Sequence, residues 1–475
     1  MKRLCLIFLF FELTLSKDRE LIFVLTHFRH GARAPIFKSD SHTDYFGYKW
    51  ESPSQLTPVG FRMHYILGLS NQYKYMEEKN FLSKKFDPHE VLIMSTDFNR
   101  TINSALAQLQ GMYPLNNSEY SEKIDENQFQ YANPPIDCSR FKQEIDDLNE
   151  KKMPLPSFLN LIPVHVFHNS EHRIKEFENP QCKNFADKVM ANNIENKNIT
   201  SRIKTFNDRY SQYFNKYFNE TKNYDYHLLE KLADQFITDT SQGFNFETFK
   251  EKSNINESDF KDLYNYFIDF AGRTMSDYQY GDPENILVKL DVSPFFNELI
   301  EYINKRIKID NQTNYNQDPN DYSSPKFVMI SGHDSTLTAM MLFLGIVFKE
   351  KYHYYEDPIY ASNAVFEVYR KETTKEHYNL DDYEVEYYYN EKKKDTFPLN
   401  TFIDKVKKEL LTPEIMAKTC GYYVEEKNVN PSSNNGLFIA LTCIFGIAVV
   451  VLFFLYIRKG KNMSKQVENI NLVES

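Results

Sequence analysis

Leu21-Ile22-Phe23-Val24-Leu25-Thr26-His27-Phe28-Arg29-His30-Gly31-Ala32-Arg33-Ala34-Pro35 is the stretch on which the fold turns. Leu21 to Thr26 is a short, almost wholly apolar run, the pattern of a strand buried on both faces of a parallel sheet. Two arginines bracket a histidine just past its end, and ligands in open α/β sheets bind at the carboxyl ends of strands. Guanidinium forks suit a tetrahedral anion because each gives two aligned hydrogen bonds to its oxygens. A histidine held between them can attack phosphorus while the arginines orient the group and neutralise its charge. The plainer alternative, a solvated turn with incidental basic residues, fits such a run after an apolar strand poorly.

The same form recurs downstream. Val91 to Ser95 is a strand run that ends in Thr96-Asp97-Phe98-Asn99-Arg100-Thr101, and Phe327 to Ser331 ends in Gly332-His333-Asp334-Ser335-Thr336. Ala364 to Tyr369 is a fourth run of the same kind. Helices follow the first three: one from an N-cap at Thr57 with Pro58 at its first position, one from Thr101 to Gly111, and one from Ser335 to Leu344 with Gly345 as its stop. Taken singly, Arg100 reads as a solvated arginine, His333 as a core histidine and Asp334 as a helix N-cap. Their shared placement, strand then charged residues then helix, brings all three to one edge of one sheet. The fold class that follows is α/β, a central mostly parallel sheet flanked by helices.

From about Asn116 to Gly281 the chain is polar, rich in Asn, Lys, Tyr and Phe, and lacks strand runs apart from Leu161 to Phe167, so a mainly helical insertion is expected over 116–281. The halves of the α/β domain are then 17–115 and 282–423. Lys2, Arg3, an apolar run from Leu4 to Leu15 and a small residue at Ser16 fit a cleavable secretory signal over 1–16. Val424 to Gly436 is a polar stalk. Leu437 to Ile457 carries no charge and as a helix reaches about 31 Å, enough for a bilayer. Arg458, Lys459, Lys461 and Lys465 follow, which puts the tail 458–475 in the cytosol and all before Leu437 outside or in a lumen. The topology is single-pass, type I, in a lysosome-like compartment or at the cell surface.

Of 5 cysteines, Cys5 falls in the signal and Cys443 in the span, leaving Cys138, Cys182 and Cys420 in an oxidising compartment. Glycosylation sequons begin at Asn116, Asn198, Asn219, Asn256 and Asn311 on the same side. A net charge of −10 excludes a non-specific nucleic-acid binder, which needs a basic face to displace counterions. An anionic substrate must therefore be held by locally clustered cations.

Arg29-His30-Gly31-Ala32-Arg33-Ala34-Pro35, Gln55-Leu56-Thr57-Pro58-Val59-Gly60, Ser95-Thr96-Asp97-Phe98-Asn99-Arg100-Thr101 and Ser331-Gly332-His333-Asp334-Ser335-Thr336 together resemble the histidine acid phosphatases, the group of the lysosomal and prostatic acid phosphatases and the fungal phytases. Ile162-Pro163-Val164-His165, Tyr360-Ala361-Ser362 and Phe397-Pro398-Leu399 extend the resemblance from about Leu21 to Cys420. It implies a phosphoglycerate mutase-like sheet with a helical cap, and phosphate monoesters as substrates without metal or cofactor. A homodimer is compatible with it. By the same resemblance His30 is the nucleophile, Arg29, Arg33, Arg100 and His333 grip the phosphate, and Asp334 protonates the leaving alcohol and then helps water hydrolyse the phosphohistidine. It also implies a disulfide between Cys182 and Cys420. Asn99 stands where many relatives have Asp and creates a sequon beside Arg100 that is expected to stay bare, and Phe397 replaces a cysteine. Competing expectations are a phytase or inositol-polyphosphate phosphatase, for which Lys38, Lys49 and Arg62 are the extra cations, and an inactive receptor ectodomain, against which every catalytic position is intact.

Overall fold

The computed structural model describes residues 19–36, 52–114, 126, 129, 139, 142–152, 162–167, 197–280, 285–311, 321–350, 353–371 and 377–420. Seven strands form one sheet in the order β3-β2-β4-β1-β5-β6-β7: β1 (Arg19–Arg29), β2 (Val91–Thr96), β3 (His165–Phe167), β4 (Phe327–Gly332), β5 (Asn363–Lys371), β6 (Tyr383–Tyr389) and β7 (Lys392–Pro398). β4 lies between β1 and β2, parallel to both. Val24 and Val91 both pair with Phe327, Arg29 pairs with Gly332, and Ser95 with Ser331. The three expected strand ends therefore stop in register at one edge.

The strands alternate between two cores, as a two-residue period requires. Phe23, Leu25, Val328 and Ile330 belong to one, against α9 (Ile286–Asp310) and α10 (Asp334–Val347). Val24, Phe28, Phe327 and Met329 belong to the other, with Ala105 and Leu109 of α2 (Asn99–Met112). α1 (Pro58–Gln72) begins as its sequence predicts: Thr57 is the N-cap, its Oγ1 accepting from Gly60 N at 3.2 Å, and Pro58 is the first helical residue. α1 continues into a π-helical turn, Tyr73–Glu78.

The sheet departs from the expectation in its second half. β5 is the strand expected at Ala364 to Tyr369, but it runs antiparallel to β1, and β6 and β7 continue antiparallel from it. The sheet is mixed rather than mostly parallel. After α10 descends from the site edge, the chain returns to that edge before β5 starts, as the bond from Ala361 N to His30 O shows. The strand can then only run downward. β6 and β7 are joined by Asn390 and Glu391, both at positive φ (46° and 63°), the geometry of a two-residue hairpin turn. The helix after β4 does not stop at Gly345 but runs to Val347. That helix is buried along nearly its whole length, and tertiary packing outweighs the roughly 1 kcal/mol that one interior glycine costs.

Residues 197–280 form helices α4 (Lys197–Arg209), α5 (Ser211–Phe218), α6 (Tyr226–Thr240), α7 (Phe246–Ser253) and α8 (Glu257–Tyr280), after α3 (Lys142–Lys151). α4 to α8 enclose an aromatic core of their own that includes Phe206, Phe214, Phe236, Phe249 and Phe267. α11 (Leu399–Glu409) and α12 (Pro413–Cys420) end the described chain. Cys420 is disulfide-bonded. Cys138, Cys182, Asn116, the signal run and the run Leu437 to Ile457 lie outside the described residues, among which no helix is long and apolar enough to cross a membrane.

Candidate active site

Where β1 ends, its backbone is handed to three other segments. Arg29 N donates to Ser362 O, His30 N to Gly332 O at 3.0 Å, and Gly31 N to Ser104 Oγ of α2 at 3.1 Å. The loop then packs directly on the first turn of α1. A Cβ on Gly31 would lie 2.5 Å from Gly60 O, and one on Gly60 would lie 2.2 Å from Ala32 O, so only glycine fits at either place. On the other side Ala361 holds a left-handed φ of 61° while its N–H donates to His30 O at 3.2 Å. For an alanine that conformation costs about 1–2 kcal/mol.

His30 is 2% exposed. Its Nδ1 lies 2.8 Å from Gly31 O, and because a carbonyl can only accept, Nδ1 carries the proton and Nε2 keeps a free lone pair. Burial, then Arg29, Arg33, His333 and Arg100, hold its pKa well below the ordinary histidine value, which favours the neutral ring.

The three arginines are all nearly buried, and each is fixed at its terminal nitrogens. Arg29 donates from Nη1 to Pro358 O and pairs through Nη2 with Asp334 Oδ2, both at 2.7 Å, while its guanidinium lies 4.4 Å from the Tyr360 ring centre. Arg33 donates from Nη1 to Ala34 O at 3.1 Å and from Nη2 to Asp234 Oδ1 at 2.8 Å. Arg100, in the first turn of α2, donates to Ser54 Oγ at 2.7 Å and stacks on Phe98. The Nε–H of each is buried and has no acceptor among the described residues. Such groups are rare in native structures and call for an explanation.

His333 caps β4 with its ring centre 5.7 Å from that of His30 and edge-on to it, its Nε2 3.0 Å from Thr96 Oγ1. It is the N-cap of α10, so Asp334 is not the cap but the first helical residue. Asp334 Oδ1 accepts from Ser335 N at 2.9 Å, and its side chain is 35% exposed, more open than the arginine it pairs with.

The expected catalytic and phosphate-binding residues converge on this edge: Arg29, His30, Arg33, Arg100, His333 and Asp334. The sequence reading passed over Ser54, Asp234, Pro358 and the ring of Tyr360, which hold or flank the arginines. Tyr360 stands in a segment that carried the resemblance and could have been found there. Asp234, 201 positions from the arginine it holds, leaves no local signal.

Residues 20–390 match the histidine phosphatase superfamily (branch 2). Human lysosomal acid phosphatase is 24% identical over 395 residues, covering 81% of this chain and 74% of the relative. A Xenopus laevis lysosomal acid phosphatase is 38% identical over 114 residues, which span 23% of this chain and only 25% of that protein. Among solved structures, Hafnia alvei phytase in complex with myo-inositol hexakis sulphate superposes with a TM-score of 0.51 at 15% identity, covering 85% of this chain and 99% of the phytase, a likeness of fold. A strand-end histidine among three arginines on such a sheet, with a match over most of the chain, means that this protein belongs to the histidine phosphatase superfamily (branch 2), alongside the histidine acid phosphatases.

Proposed function

We propose that this protein is a phosphoric monoester hydrolase working in acid through a phosphohistidine on His30. The Nε2 lone pair attacks phosphorus and the P–O ester bond breaks. The departing oxygen takes the proton of the Asp334 carboxyl, and the phosphorylated ring, now cationic, keeps its Nδ1–H on Gly31 O. Water then attacks phosphorus as Asp334 takes its proton, the P–N bond breaks, and phosphate leaves with neutral His30 restored.

Asp334 can serve as acid because phosphate binding changes its surroundings. A phosphate on Arg29 competes for the guanidinium that Asp334 now holds, and a carboxylate set beside an anion is driven to take up a proton. Arg29, Arg33, Arg100 and His333 neutralise the charge that develops. The observation that carries this reading is the trio of buried, acceptor-less arginine Nε–H groups around a histidine whose Nδ1–H is held by Gly31 O, which leaves Nε2 as its lone-pair nitrogen.

The test is hydrolysis of an aryl phosphate in acid together with trapping of a labelled, alkali-stable phosphoenzyme. His30→Ala should lose activity by about 10⁴-fold or more and lose the label. A variant as active as the parent, or a label carried elsewhere, sinks the assignment. The inositol-polyphosphate reading has no observation of its own: Lys38 and Lys49 lie outside the described residues, and Arg62 is exposed on α1. The intact constellation speaks equally against an inactive ectodomain.

The anchored topology is part of the same proposal. A signal over 1–16, a helical insertion over 116–281, a stalk over 424–436, a span over 437–457 and a cytosolic tail over 458–475 set the catalytic part in a lysosome-like lumen or outside the cell. The names of the lysosomal relatives support the lysosome-like lumen. Cys182 is the proposed partner of the disulfide-bonded Cys420.

A further inference from the structure

α6 reaches the phosphate loop from the helical part of the chain. Asp234 on this helix accepts from Arg33 Nη2 through Oδ1 and from Ile36 N through Oδ2, each at 2.8 Å. The Arg33 side chain is buried, at 6% exposed, and that of Asp234 is mostly covered, at 11%. One turn further along, Thr238 Oγ1 lies 3.2 Å from Tyr360 OH, and beyond the helix Gln242 Nε2 donates to Thr57 Oγ1 at 3.1 Å. This helix and the residues just after it thus touch the arginine, the end of its loop, the tyrosine between two arginines and the cap of α1. Asp234 supplies the ionic part of that docking.

We infer that Asp234 is a positioning residue for the phosphate site. It acts through Arg33 and does not itself touch the substrate; the inference rests on the phosphatase reading above. An arginine side chain has many rotamers, and a free one must be ordered each time an anion binds. With Nη1 on Ala34 O and Nη2 on Asp234, the Arg33 guanidinium plane is fixed before phosphate arrives, and its Nε–H is left for the ligand. Asp334 holds Arg29 in the same manner, but that carboxylate is the more exposed and is needed for the chemistry. Asp234 has no such second task.

Electrostatics alone gives the opposite sign. A carboxylate beside Arg33 lowers the local positive potential, so removing it without disturbing Arg33 would tighten an anion. Positioning requires removal to weaken it.

The experiment measures the dissociation constant of inorganic phosphate and kcat on an aryl phosphate for the full chain. Asp234→Asn keeps an amide oxygen for Ile36 N and loses the charged clamp. It should weaken phosphate by about 10-fold and lower kcat with it. In an Arg33→Ala background the same change should move phosphate binding by less than about twofold, because the residue through which Asp234 acts is gone. If Asp234→Asn does not fold, Asp234→Glu is compared in the same two backgrounds; the longer side chain shifts the guanidinium and should weaken phosphate only while Arg33 is present. Equal factors in both backgrounds, or unchanged or tighter phosphate, overturn the inference and leave the phosphatase reading standing. A parent protein that neither binds phosphate nor hydrolyses the ester overturns both.

Discussion

The two halves of the sheet both bury charge, and they treat it in opposite ways. In the antiparallel half Glu367 and Glu386 have fully buried side chains. Glu367 accepts from Tyr75 OH at 2.6 Å and Tyr369 OH at 2.7 Å and pairs with Lys74 Nζ at 2.7 Å. Glu386 accepts from Arg19 and Tyr388, each at 2.5 Å, and pairs with Lys393. In the parallel half Arg29, Arg33 and Arg100 crowd like charges together and each keeps a buried N–H without an acceptor. A buried charge with its bonds satisfied holds structure together; one with bonding capacity left over is set up to receive a ligand. The two halves should therefore fail differently when mutated.

The sharpest break comes from Arg100. Burial and then Arg33 push its pKa down to about 10, with Asp334 pulling the other way, so the folded state carries a cost for this charge. Arg100→Met should lower kcat/KM by about 10³-fold, since the guanidinium is lost from a developing charge. Its midpoint of thermal unfolding should stay level or rise. A large fall in stability with activity nearly intact would erase the distinction between the halves. Glu367→Leu should give the mirror image: kcat/KM per folded molecule unchanged and stability lower by about 3 kcal/mol in urea unfolding, because Tyr75 OH and Tyr369 OH are stranded in the interior.

The same division governs what could be read from sequence. β1, β2 and β4 are short apolar runs because both their faces are covered, so burial alone marks them, and the loop after β1 carries His30, Arg29 and Arg33 within a few residues. Thr57 and Pro58 announce α1 for a local reason, the needs of a helix N-terminus. β6 and β7 gave no such mark. Tyr383–Tyr389 reads Tyr-Glu-Val-Glu-Tyr-Tyr-Tyr, with two glutamates and a single aliphatic residue, Lys392–Pro398 opens with three lysines, and the turn between them has no glycine. Their strand character comes from pairing and from the Glu386 network, which are tertiary facts. The antiparallel sense of β5 also follows from the path of the preceding segment, which its own residues do not specify. Ser54 and Asp234 escaped for a related reason: each acts on an arginine that is distant in the chain.

Acid distinguishes the halves most finely, and it matters because the proposed chemistry runs there. His64 on α1 is fully buried against Phe28, and its Nδ1 donates to Gln108 Oε1 at 3.2 Å. Burial outweighs that bond and brings its pKa down to about 4. In the unfolded chain it titrates near 6.5, so between those values the unfolded state binds the proton and the folded state does not. Stability therefore falls as pH drops from about 6.5 to 4, by about 3 kcal/mol for this one group, and changes no further below that. His30, shifted the same way, adds to the loss. Glu386 has the same sign but a lower window. Burial would raise its pKa, but Arg19, Lys393 and Tyr388 outweigh burial and bring it to about 2, so its contribution is present above about 4.5 and is lost only as pH falls toward 2. Acidification from 6.5 to 4.5 should thus weaken the parallel half and leave the antiparallel half alone. His64→Gln, which cannot take up the proton, should flatten the fall in stability across that window when unfolding is followed at several pH values. Phosphate should protect the parent in the same window by binding only the folded site. Parallel pH slopes for parent and variant would mean that His64 is not the group that titrates, and His30, whose pKa is also held low, would be the next candidate.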